Sequence, residues 1–234
     1  MSAGRAEILG AVRRAVKRDT SDEAARDTVD ARLDTHRRGQ VPARGQRDHD
    51  AQVALFAEMA QEVAASVERV ADPEAVPEAV AAYLKAQNLP AALRMAPDPA
   101  LEALPWDRQP LLQIETGPAQ AADQVSLTGA FSGIAETGTL MLTSGPAGPT
   151  TLNFLPDNHI VVLHEADVVG AYEDAWDRLR ARFGAGAMPR TVNCITGPSR
   201  TADIEQTIQL GAHGPRRLHI ILVGDLDGGD GRGR

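Results

Sequence analysis

Cysteine is almost absent: Cys194 is the only one in 234 residues. A single thiol excludes an intramolecular disulfide and a four-cysteine iron–sulfur site within this chain, and it gives no sign of an oxidising compartment. Aromatic residues are scarce as well, at 3%, so the core has to be built from Ala, Val, Leu and Ile. Such a composition suits a sheet of Val, Ile and Leu runs covered by Ala-rich helices. No stretch approaches the roughly 18 consecutive apolar residues of a membrane helix. The opening residues are charged and amphipathic rather than an apolar signal core, which predicts a cytoplasmic protein. Serine-hydrolase, Walker and dinucleotide-binding glycine signatures are missing. His159, His164, His213 and His219 form no i, i+4 pair and, with one cysteine, no zinc-type spacing, so no metal site is expected.

Positive charge is also short beyond the first part of the chain. Residues 1–47 carry 11 Lys and Arg against 7 Asp and Glu, whereas 48–234 carry 13 against 25. The acidic body argues against nucleic acid, which needs a basic face to displace counterions. The basic stretch reads as a mixed-charge arm lying on its own acidic body or on a partner, and homo-oligomerisation is left open.

What is present is an alternation of apolar runs and punctuation. Ile8, Leu9, Val12 and Val16 share one side of an N-terminal helix. Residues 19–47 are polar, which predicts an arm at 1–47 and an α/β domain over 48–223. The Gly/Asp/Arg-rich tail 224–234 is expected to be disordered. Val53, Leu55, Phe56, Met59, Val63 and Val67 predict one long helix over 50–70, and a second is expected at 74–87. Leu93–Met95, Leu111–Ile114, Val125–Leu127, Leu140–Thr143, Ile160–Leu163, Thr191–Ile195 and Leu218–Val223 are candidate strands. Val169, Tyr172, Trp176 and Leu179 predict a helix from Val168 to Phe183. Strands interleaved with helices imply a mostly parallel sheet with flanking helices.

Two polar islands interrupt this pattern. Glu136-Thr137-Gly138-Thr139 runs into the apolar strand at Leu140. Gly138 lets another backbone or a ligand approach, the threonines offer hydroxyls, and Glu136 is a candidate base or nucleophile. The alternative is a turn whose Thr and Glu satisfy local backbone groups. The second island, Thr196-Gly197-Pro198-Ser199-Arg200-Thr201-Ala202-Asp203-Ile204-Glu205, follows the strand ending at Ile195. Open parallel sheets bind ligands beyond the carboxyl ends of their strands. Ser199 and Thr201 supply hydroxyls there, and Arg200 a planar fork for carboxylate or phosphate. Against this, Asp203 could cap a helix with Gln206 completing a capping box. Thr150–His159 and Gly211-Ala212-His213-Gly214-Pro215 frame the pair, with His159 and His213 as acid/base candidates or loop-bonding histidines.

These segments carry a resemblance. Ala135–Leu140, Leu155-Pro156-Asp157-Asn158-His159-Ile160, Ile195–Glu205 and Gly211–Pro215 are similar, in order and spacing over about residues 120–223, to the motif series of the lactate-utilisation protein C family, the LUD-domain proteins. The resemblance implies a fold like that of the NagB/ribose-5-phosphate isomerase/CoA-transferase group. It also implies a part in oxidising L-lactate to pyruvate beside two partner proteins that carry iron–sulfur clusters, with no cofactor in this chain. There is one departure: many relatives place an arginine before the Leu-Leu-Pro-x-His segment, where this chain has Gly148-Pro149-Thr150-Thr151-Leu152-Asn153. Asn153 and Thr151 then act differently, or Arg200 does more.

The leading expectation is a non-redox subunit or accessory protein binding a small anion. Arg200 would be the clamp, with Thr137, Gly138, Thr139, Asn153, Gly197, Ser199, Thr201, Asp203 and His213 around the ligand and Glu136 the catalytic candidate. The alternatives are a stand-alone isomerase- or transferase-like enzyme acting on a sugar phosphate or acyl-CoA through Glu136, and a metabolite sensor without catalysis.

Overall fold

The computed structural model describes residues 3–16, 23–184, 186–201 and 209–224, with the backbone alone described at 209 and 210. The expected disordered tail lies, beyond Gly224, outside the described residues. The chain divides into two compact units, Met1–Gly39 and Gln40–Arg234. The first unit holds helices α1 (Ala3–Val16) and α2 (Glu23–Thr35). Ile8, Leu9, Val12 and Val16 of α1 are exposed, and α2 buries no side chain.

The second unit begins with α3 (His49–Glu62), where the Asp48 carboxylate accepts from the Ala51 amide at 2.9 Å and caps the first turn. The expected helix over 50–70 stops here. Val63 is the C-cap, Ala64 takes φ +70°, and β1 (Ser66–Val70) follows. Val67 thus belongs to a strand, because Ser66–Val70 finds a parallel partner that satisfies its backbone. Next come α4 (Val76–Ala86), β2 (Ala92–Met95), the short α5 (Pro99–Glu102), β3 (Gln113–Thr116) and β4 (Val125–Gly129). After these run β5 (Ser132–Ile134), β6 (Thr139–Thr143), β7 (Asn158–His164), β8 (Val168–Val169), α6 (Tyr172–Phe183), β9 (Val192–Ile195), β10 (Arg200–Thr201), β11 (Gln209–Leu210) and β12 (Arg217–Val223).

Six strands form one sheet in the order β1-β12-β7-β4-β2-β3, and every pairing in it is parallel. The expectation of an α/β protein with a mostly parallel sheet is met. β7 and β12 are neighbouring interior strands, buried along almost their whole length, so they read as continuous apolar runs. On one face Val76, Val80 and Leu84 of α4 and Leu101 of α5 pack on Leu127, Ile160, Ile221 and Val223. On the other face Val53, Phe56 and Ala60 of α3 meet Val161, Leu163, Ile220 and Leu222. Phe56 is the one aromatic among the largest fully buried side chains described, as the composition requires.

A second sheet of four strands, β8-β5-β6-β9, is largely antiparallel. Alternation along β6 explains its place. Leu140 and Leu142 join the α3 core, while Met141 points the other way onto Ala175 and Leu179 of α6. Val168 and Val169 pair with Gly133 and Ile134 rather than opening the helix expected there. The helix starts only at Tyr172, because Gly170 passes so close to Gly45 that a Cβ would lie 2.0 Å from its carbonyl oxygen.

Candidate functional site

The Glu136–Thr139 turn links β5 to β6 and is packed from three sides. Gly138 takes φ +63°, and a Cβ there would sit 2.2 Å from the backbone nitrogen of Ala60. The glycine therefore serves the close approach of α3, the backbone-contact option of the two that its sequence context left open. Glu136 is 6% exposed, and its carboxylate accepts from the Tyr172 amide at 2.8 Å, at the N-terminus of α6. An anion at this end of a helix is favoured by the free N–H groups and the dipole. The Glu136 amide in turn donates to the Gly170 carbonyl. Thr137 and Thr139 bond each other at 2.7 Å, and Thr139 reaches the Tyr172 hydroxyl at 3.0 Å and the Thr196 hydroxyl at 2.6 Å. This is a connected polar network.

Thr196 carries that network to the second island. Here the structure corrects the positional argument. β9 pairs antiparallel with β6 and is not a strand of the parallel sheet, so the rule about carboxyl ends does not apply to the segment after Ile195. The segment instead crosses the amino ends of β7 and β12, represented by His159 and Leu218. Gly197 takes φ +71°, and a Cβ would lie 2.3 Å from the Val63 carbonyl oxygen, so the turn rests on the end of α3. The Ser199 amide donates to the Pro215 carbonyl and the Gly211 amide to the Ser199 carbonyl, each at 2.9 Å, which clamps the two motif loops together. Arg200 and Thr201 then pair antiparallel with Leu210 and Gln209.

Between these loops lies a cavity of about 260 Å³. Asn153, Gly197, Ser199, Arg200 and His213, all singled out in the sequence, line it together. Glu136, Thr137, Gly138, Thr139 and Thr201 are not part of its wall, and Asp203 lies outside the described residues. His159, Cys194, Thr196 and Phe154 are also in the wall without having been named as ligand contacts. His159 had a signal: a histidine inside the motif Leu155–Ile160, next to an apolar strand. Thr196 opened the second polar island but was not singled out from it, and Cys194 had no signal, because nothing in a strand says which side chain will face a cavity.

Charge is distributed sharply across this cavity. Asn153 is 5% exposed and His159 fully buried. The His159 Nε2 shares a hydrogen with the Thr128 hydroxyl at 2.8 Å, while Nδ1 has no partner. Burial lowers the His159 pKa to about 3, so the ring is neutral. Arg200 and His213 are exposed at the rim, and among the described residues Arg200 has no ion-pair partner. A neutral, hydrogen-bonding floor beneath a cationic rim suits a small anion with a polar group at its other end. Among the described residues no group of three or more His, Cys, Asp or Glu side chains is arranged to hold a metal, and no helix is long and apolar enough to cross a membrane.

Comparison with known proteins places the family and the fold. Residues 53–223 match the LUD domain. An uncharacterised protein of Neisseria meningitidis serogroup B is 41% identical over 96 residues, 41% of this chain and 40% of that protein. Lactate utilization protein C of Geobacillus thermodenitrificans is 38% identical over 108 residues, 45% of each chain. Its namesake in Bacillus subtilis is 36% identical over 107 residues, 44% of this chain and 45% of the relative. The chain thus spans less than half the length of these relatives. The crystal structure of a DUF162 family protein from Deinococcus radiodurans superposes with a TM-score of 0.56 at 22% identity, covering 76% of this chain and 99% of that one, which shows the shared fold. With a domain match running through both polar islands and both sheets, the chain belongs to the LUD-domain family.

Proposed function

We propose that this chain is a non-redox component of a cytoplasmic lactate-utilising system, acting beside iron–sulfur proteins that oxidise L-lactate to pyruvate. In this reading it binds a small carboxylate- or phosphate-bearing ligand in the 260 Å³ cavity. The observation that carries the reading is the convergence of Asn153, Ser199, Arg200 and His213 on one cavity, from loops distant in sequence, in a chain similar to proteins named for lactate utilisation. Arg200 clamps the anion with its planar fork, Asn153 and Ser199 orient it, and the neutral His159 exchanges a hydrogen bond rather than a charge. Glu136 holds the start of α6 and the threonine network holds the Thr196 turn, so both position the cavity from behind.

The test is affinity capture of the tagged full chain from its own lactate-grown cells, with mass spectrometry, iron analysis and a lactate-oxidation assay on the eluate. Recovery of iron–sulfur proteins with lactate-dependent activity, reduced in Arg200→Ala while the partners stay bound, is the expected outcome. A partner-free protein, or full activity in Arg200→Ala, would defeat the reading.

A further inference from the structure

The carboxyl edge of the parallel sheet holds a second cavity, sharing no residue with the first. Its place follows from the topology. The chain leaves β2 toward β3 through α5, whose Leu101 packs on the α4 face of the sheet. It leaves β4 toward β7 through β5 and β6, whose Leu140 and Leu142 pack on the α3 face. Adjacent parallel strands, β2 and β4 pair over Arg94↔Ser126 and Met95↔Leu127, and their outgoing connections part in opposite directions. Such a switch point leaves a crevice outside the carboxyl ends of the strands, where open α/β sheets bind ligands. Here Asp98 and Pro99 after β2, Gly129 at the end of β4, and Ala130 and Phe131 beyond it open into a cavity of about 850 Å³. That is within the range of small-molecule and cofactor sites.

The chemistry of the wall narrows the occupant. The Arg178 guanidinium donates to the Asp167 carboxylate and lies 5.8 Å over the Phe131 ring. Phe183 stands 6.3 Å from Phe131, centroid to centroid. Two phenyl rings and a fixed guanidinium make a surface for a flat heteroaromatic ring. Arg182, one turn beyond Arg178 and exposed, is a planar donor fork for phosphate. Opposite, the Gly145–Gly148 turn has small side chains and open space at the Gly145 Cβ position, so a phosphate held by Arg182 can come close to it, while the Gly145 and Gly148 amides donate to each other's carbonyls. One Asp98 carboxylate oxygen accepts from the Ala100 amide at 3.0 Å, and the other can accept a hydroxyl.

We propose that this crevice binds a nucleotide, its ring against Phe131 and Phe183 and its phosphate between Arg182 and the Gly145–Gly148 turn. The site is separate from the anion cavity and does not depend on the lactate reading. Calorimetric titration of the full chain with ADP tests it, with adenosine and inorganic phosphate as partial probes. Saturable ADP binding is expected, weakened about tenfold or more by Arg182→Glu, which removes a charge-assisted contact. Ala181→Trp, at an exposed wall position of α6, is expected to block it, and Arg200→Ala to leave it unchanged. Circular dichroism of each variant checks the fold. Absence of saturable ADP binding, equal affinity in wild type and Arg182→Glu, or inorganic phosphate binding as tightly as ADP would each overturn the assignment.

Discussion

The Glu136–Thr139 turn and the wall of the smaller cavity touch through one hydrogen bond, Thr139 to Thr196, yet their polar groups end differently. In the first, the Glu136 carboxylate meets a helix amide, the threonine hydroxyls meet each other and Tyr172, and Gly138 meets the backbone of α3. In the second, Asn153 and His159 are buried in the cavity wall, the His159 Nδ1 has no accessible surface and no hydrogen-bond partner among the described residues, and Arg200 stands at the rim. Buried polar groups are costly unless bonded. A saturated cluster is therefore what a fold needs to hold its own parts, whereas unsaturated groups around a cavity are what a ligand needs. The two motifs thus differ in that the polar groups of the first meet protein partners, while several residues of the second line a cavity.

Acid is the sharpest way to probe the receiving region. Burial lowers His159, in the cavity wall, to about 3 and His219, outside that wall against Ser66 and Tyr83, to about 4, from 6.5. Below pH 6.5 the unfolded chain takes up protons at both positions while the folded one stays neutral, so the unfolded state gains. The contribution is intact above the unfolded pKa and is lost as pH falls toward the folded values. Each histidine should weaken the fold by up to about 1.4 kcal/mol per pH unit through that window. Urea melts at pH 7, 6 and 5 should show a falling midpoint, with a shallower fall in His159→Gln. A flat profile breaks the picture of a neutral, buried floor.

Gly138→Ala should come next, at roughly 3 kcal/mol or more, because a Cβ both strains the positive φ and meets α3 backbone. Chemical denaturation measures it. A loss under about 1 kcal/mol would mean that the turn relaxes readily and is not the support inferred here. Glu136→Ala should cost about 1–2 kcal/mol as a lost cap, and Glu136→Gln less, since the amide oxygen still accepts from Tyr172. Loss of partner-supported lactate oxidation in Glu136→Gln, with stability unchanged, would move Glu136 from support to chemistry. Arg200→Ala, on an exposed side chain, should shift stability by no more than about 0.5 kcal/mol. It should nevertheless weaken binding of L-lactate, followed by ligand-detected NMR, about tenfold. That reversal of rank between stability and binding is what separates the two regions.

Much of the scaffold was legible in advance. The apolar runs at Ile160–Leu163 and Leu218–Val223 announced the central strands, since a strand buried on both faces has no polar alternation to hide it. Two helices are shorter than their periodicity predicts, for one reason. Val67 and Val168–Val169 extend helical spacing, but their backbones are claimed by strand partners far away in the chain, and local periodicity carries no information about distant pairing. The second sheet was invisible on the same grounds: β6 and β9 look like any other strands, and nothing in them says that they pair with each other and not with β7 or β12.

The amino-acid sequence by itself determined the aliphatic core, the α/β alternation, the motif series that marks the family, and the residue types at both polar islands. Those properties live in composition and local order. Only the tertiary structure decided that Glu136 faces a helix amide, that Asn153, His159, Arg200 and His213 share one cavity at the amino edge of the sheet, and that the switch point falls between β2 and β4. Contact between residues tens of positions apart is set by strand order and packing across the core. A polar side chain acquires its role only when that packing determines whether a backbone group, another side chain or open space lies opposite it.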